Sequence, residues 1–155
     1  MSLPLPFREI WGVDLEYKAA SGERPAPLCM CAKEFRSGRE IRLFGDELRA
    51  LKRAPFDTGP DSVTVAYAAA AEASCFLELG WPLPTNILDL FAEHRVATNG
   101  IAPIAGNKLT GALAIRGLAH LDAARTLYAA GNLGLLHEKK EMQEAIGNGT
   151  WRTED

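Results

Sequence analysis

The chain has 155 residues, 47% apolar and 24% charged, with 17 Lys and Arg against 20 Asp and Glu. That size and balance predict one globular domain spanning 1–155, large enough to bury a core. A net charge of −3 excludes an overall basic field that would hold nucleic acid non-specifically. No apolar run reaches the roughly 18 residues that span a bilayer, and Met1-Ser2-Leu3-Pro4-Leu5-Pro6 has no basic n-region and apolar h-region of a signal peptide. A cytoplasmic protein without membrane partners is the expectation. Three cysteines, Cys29, Cys31 and Cys75, are too few and odd in number for a disulfide framework. Cys29-Met30-Cys31 is C-x-C without a second pair, which reads as small residues on a strand face.

In chain order, residues 7–17 read as a first strand. Within it Asp14 and Glu16 stand one residue apart in an otherwise apolar run. Strand alternation puts both on one face, where neighbouring carboxylates raise the cost of ionising each other. In a central strand an unpaired charge is costly, and a divalent cation resolves the repulsion, because Mg²⁺ takes one or two carboxylates plus waters. A salt-bridged pair, with Arg8, Lys18 or Arg42 as partners, is the alternative.

Residues 19–27 (AASGERPAP) are a turn-rich connection. Residues 28–35 and 39–44 read as second and third strands, joined by a hairpin turn over Arg36-Ser37-Gly38-Arg39 in which Gly38 supplies positive φ. A short helix follows over 46–51 with an acidic first turn, then a loop through Pro60. Residues 62–67 are β-branched and alternate, a fourth strand. It runs directly into an alanine-rich helix over 68–79, stopped by Gly80 and Pro82. A fifth strand covers 86–90, and a helix follows to about Ala97. Helices are expected again over 109–115, 121–130 and 138–146. The order β-β-β-α-β-α-β, then helices, predicts an α/β fold: a mixed five-stranded sheet, three antiparallel strands first and then parallel ones, with flanking helices.

A second acidic pair, Glu72 and Asp89, lies on the predicted helix and fifth strand. Val13-Asp14-Leu15-Glu16 on a first strand resembles the D-x-E opening motif of the DEDD 3′–5′ exonucleases. These include the proofreading domains of family A DNA polymerases, of the DNA polymerase I kind, which have an RNase H-like fold. Val65 to Glu72 (VAYAAAAE) is similar to that family's second motif, a strand leading to a helix that carries an acid. Ile87-Leu88-Asp89-Leu90-Phe91 is similar to its later apolar-Asp-Thr-apolar strand. Two departures stand out. Ala69 is near the family's Asn position, with Glu72 in place of its Asp. The last motif, a Tyr or His followed by a fourth acid, is not found: Tyr128 has Asn132 four residues on. The expectation is a domain truncated before that motif.

The resemblance implies two-metal hydrolysis of DNA phosphodiester bonds from a single-stranded 3′ end, with Mg²⁺ or Mn²⁺, in a parent protein that could also carry a polymerase domain. It implies Asp14, Glu16 and Glu72 as catalytic metal ligands: Asp14 bridging, Glu16 orienting the water and Glu72 holding the other ion. Asp89 is expected to be structural. Alternatives are a truncated or degenerate module that holds DNA or serves structure without catalysis, and an RNase H-like nuclease acting within a strand. Glu72 has its own alternative, an exposed helix glutamate. His94, His120 and His137 have no Cys or His at ligand spacing and read as surface or hydrogen-bonded residues. Residues 100–108 (GIAPIAGNK) fail the phosphate-loop pattern, and Ser62 and Ser74 lack a nucleophile-elbow context. Lys139-Lys140 reads as a solvated helix face that could touch phosphate. Trp11 and Trp81 are expected to anchor core or loops, and Trp151 to lie exposed.

Overall fold

The computed structural model describes residues 4–99 and 106–117. The chain divides into two compact units, Met1–Leu90 and Phe91–Asp155. The first unit holds an α/β arrangement. β1 (Glu9–Lys18), β2 (Ala26–Glu34) and β3 (Glu40–Phe44) lead to α1 (Gly45–Ala50), followed by β4 (Ser62–Ala66), α2 (Ala70–Glu78) and β5 (Ile87–Asp89). The strands form one five-stranded sheet in the order β3-β2-β1-β4-β5. β1, β2 and β3 pair antiparallel, whereas β4 joins β1, and β5 joins β4, in parallel. The mixed sheet expected from the sequence is therefore present, with β1 at its centre.

Gly38 takes the positive φ that the β2–β3 turn requires, at 76°. β2 begins at Ala26, two residues earlier than the sequence suggests, and so takes in Pro27. The proline is tolerated because β2 pairs with β3 only from Cys29 onward, and because the β1–β2 register already shifts between Glu16 and Tyr17.

Alternation along β1 assigns its residues to two faces. Trp11, Val13 and Leu15 join Met30 and Ala32 of β2 beneath Leu48 of α1, Phe56 of the following loop, Cys75 and Phe76 of α2, and Trp81. Aromatic rings run through this core: Trp11 stacks on Phe56 with centroids 5.0 Å apart, and Phe76 meets Trp81 edge-on at 5.2 Å. That last contact also closes α2. The Gly80 amide bonds to the Leu77 carbonyl and the Trp81 amide to the Phe76 carbonyl, with Gly80 at φ 68°. This is a Schellman termination with its usual apolar contact across the motif. Trp11 and Trp81 are thus core anchors, and each indole N–H is bonded, to Glu9 and to the Leu51 carbonyl. On the other face a smaller cluster of Ile10, Val63 and Val65 packs with Leu5, Phe7 and Leu88.

Glu34 is 2% exposed at the end of β2. Its carboxylate accepts the Ile10 amide at 2.9 Å, the Arg36 amide at 3.0 Å and the Ser37 amide at 2.5 Å. Burial alone would raise its pKa, but these amides outweigh it and hold the group down at about 2. One side chain therefore ties the β2–β3 turn to the start of β1.

Beyond β5, α3 (Leu90–Ala97) and α4 (Leu109–Ile115) are described. The expected helices over 121–130 and 138–146, together with His120, Tyr128, His137, Lys139-Lys140 and Trp151, lie outside the described residues. His94 of α3, expected at the surface or hydrogen-bonded, is 2% exposed, and neither ring nitrogen has a partner among the described residues. No helix among the described residues is long and apolar enough to cross a membrane.

Candidate metal centre

Asp14 and Glu16 lie on β1 opposite Cys31 and Cys29 of β2, on the face away from the aromatic core. Both carboxylates are exposed. The apolar neighbours that suggested a buried pair, Val13 and Leu15, point the other way. The expected salt-bridge partners are largely engaged elsewhere. Arg8 binds Asp57 at 2.9 Å and Arg42 reaches Glu40 at 3.4 Å, and Asp14 has no ion pair among the described residues. The facing thiols are poor donors: burial, then the neighbouring Cys31 and Glu16, push Cys29 up to about 11. Cys31 is raised by burial too, against the pull of Arg42.

Glu72 is the buried member of the set, only 6% exposed in the first turn of α2. It is not the solvated helix glutamate that its alanine neighbours suggest. Burial pushes its pKa up to about 7. The amides of Glu72 and Leu15 oppose this, whereas the charges of Asp14 and Asp89 add to it. Glu72 of α2 thus feels the charges of carboxylates from two other elements, Asp14 of β1 and Asp89 of β5.

Asp89 has a defined structural task. Its two oxygens accept the Ala68 and Ala69 amides at 3.2 and 3.1 Å. The turn it holds contains Ala68 at φ 67°, a conformation costing a non-glycine residue on the order of 1–3 kcal/mol. That turn is why α2 begins at Ala70 rather than running on from β4 as the sequence suggested. It also fixes where the first helical turn, and with it Glu72, sits. No local spacing links Asp89 to Ala68; the bond depends on β4 and β5 being parallel neighbours, in which Ala66 faces Asp89.

The donor set consists of hard oxygens, suited to Mg²⁺ or Mn²⁺ and not to thiolate-seeking metals. Asp14 has no ion pair among the described residues, and the ionisation of Glu72 is opposed by burial and by the charge of Asp14, a repulsion that a nearby divalent cation would reduce. Such an ion needs only one or two carboxylates when waters complete its shell. Among the described residues, however, no three His, Cys, Asp or Glu side chains form a group that could hold a metal ion. Asp14, Glu16 and Glu72 are therefore not drawn together into a three-ligand cage. Compared with known proteins, the chain matches no family model, no curated protein and no solved structure.

Proposed function

We propose that this chain is an RNase H-like domain of the DEDD 3′–5′ exonuclease type, which takes the single-stranded 3′ end of DNA and hydrolyses its terminal phosphodiester bond. One observation carries the reading. The strand order β3-β2-β1-β4-β5, antiparallel through β1 and parallel beyond it, puts Glu72 at the start of α2 within the electrostatic reach of Asp14 on the central strand. Asp14 and Glu72 would hold a Mg²⁺ or Mn²⁺ ion, with Glu16 on the same face as Asp14 to orient the attacking water. Metal ions in such a site activate water and stabilise the leaving 3′-oxygen. The protein's own part is placement: the strand pleat aims Asp14 and Glu16 together, and the Asp89 clamp sets the first turn of α2.

A second reading keeps the fold and drops the chemistry, leaving a structural or DNA-holding module. The absence of a three-ligand group among the described residues favours it over full two-ion catalysis. Calorimetric titration with Mn²⁺ tests the metal, comparing the chain with an Asp14→Ala, Glu16→Ala double variant. Binding that disappears in the variant supports a cation on β1, and equal or absent binding in both overturns it. Release of mononucleotides from a 3′-labelled oligonucleotide then separates the nuclease from the non-catalytic module.

A further inference from the structure

Two polar atoms of the first unit are buried without a hydrogen-bond partner among the described residues: Thr64 Oγ1 on β4 and Glu72 Oε2 on α2. Both residues line the same small cavity, about 10 Å³, whose remaining walls are Ala66, Ala69, Ala73, Phe76, Pro84 and Ile87. A buried oxygen left unbonded costs roughly 1–3 kcal/mol, so two beside one void are not expected to stay dry. The space is about that of one water, which needs at least two polar partners, and Thr64 and Glu72 are the two lining residues whose side chains could supply them. A cation is a poor occupant, because Mg²⁺ or Ca²⁺ seeks six or more oxygens and the other walls are apolar.

We infer that a single buried water bridges Thr64 Oγ1 and Glu72 Oε2, making Thr64 the positioning residue of the Glu72 carboxylate. The hydroxyl can rotate to donate to the water or accept from it, and the water donates to Oε2. Oε2 is then committed to the interior, and the amides of Leu15 and Glu72 act on the other oxygen of the carboxylate. A cation shared with Asp14 would therefore meet Glu72 through one oxygen only. The water follows from the cavity alone, whereas the consequence for metal rests on the proposed function.

The experiment has two arms. A high-resolution crystal structure of the metal-free protein should show one ordered water within hydrogen-bond distance of both oxygens, and Thr64→Val should lose it. A dry cavity, or a direct Thr64–Glu72 hydrogen bond, overturns the inference. Mn²⁺ titration of Thr64→Val should then show affinity reduced about tenfold, as for other residues that orient a metal ligand from behind, with Thr64→Ser restoring it. Unchanged affinity in the valine variant, or no rescue by serine, overturns the positioning role. Failure of the unaltered chain to bind Mn²⁺ overturns the metal-site reading and the positioning role that rests on it, while the density alone still decides the water.

Discussion

On one face of the sheet Trp11, Val13 and Leu15 pack beneath Phe56, Phe76 and Trp81; on the other, the residues that alternate with them on the same strand are Ile10, Gly12, Asp14 and Glu16. The first face gains its energy from large apolar side chains at close-packed density. The second gives up apolar burial toward the C-terminal end of β1 and puts exposed carboxylates there. A single strand thus serves both purposes because its side chains alternate. Substitutions on the two faces should separate stability from chemistry.

The largest expected effect lies in the aromatic core. Phe76→Ala removes a ring that is 1% exposed and that contacts both Phe56 and Trp81. The cost should be about 3–5 kcal/mol, read as a shift in the urea midpoint. A loss below about 1 kcal/mol would mean that the core is not organised around this helix, since surface-like losses stay within about 0.5 kcal/mol.

Glu34→Ala should come next, leaving the amides of Ile10, Arg36 and Ser37 without their acceptor. Orphaned buried donors cost about 1–3 kcal/mol. The pH dependence has a definite sign. Its folded value, about 2, lies below the ordinary 4.5, so the folded state binds fewer protons than the unfolded one. The stabilisation is present above pH 4.5 and is lost as pH falls toward 2. Thermal melts of the unaltered chain should show this acid loss, and the alanine variant should show less of it.

These two residues differ in how readable they were. The pattern of apolar residues announces the strands, their order and both core tryptophans, because period-two alternation and glycine stops are local signals. The burial of carboxylates is not local. Glu34 and Glu72 look like ordinary polar positions in their own segments, and become buried because Ile10 and Leu15 arrive from another strand. The reverse error befell Asp14 and Glu16, whose apolar neighbours point to the opposite face. Asp89 could be named as structural, but its partners, the Ala68 and Ala69 amides, are brought to it by strand pairing. Thr64 gave no signal at all: a threonine in a β-branched strand is unremarked until the cavity beside it is seen.

The pH dependence of Glu72 runs opposite to that of Glu34. Its folded value, about 7, lies above the ordinary 4.5, so the folded state holds a proton that the unfolded state releases. In metal-free buffer with EDTA, this contribution to stability is fully present below pH 4.5 and is lost as pH rises through 7. Glu72→Gln should abolish that decline, leaving a melting temperature at pH 8 equal to or above that of the unaltered chain. A variant that melts lower at pH 8 and keeps the slope would show that another group is responsible.

The smallest expected effect on stability is also the sharpest test of the contrast. Asp14→Asn and Glu16→Gln keep size and change only charge, at exposed positions facing Cys31 and Cys29. Asp14 has no ion pair to lose among the described residues. Folding free energy should therefore move by no more than about 0.5 kcal/mol, with a slight gain where repulsion from Asp14 on Glu72 is relieved. Mn²⁺ binding should nevertheless fall to background in the double variant. Phe76→Ala, compared under conditions where it remains folded, should keep measurable binding. If instead the charge-neutral pair unfolds the protein, these carboxylates are structural, and the division of labour between the two faces of β1 fails at the strand that defines it.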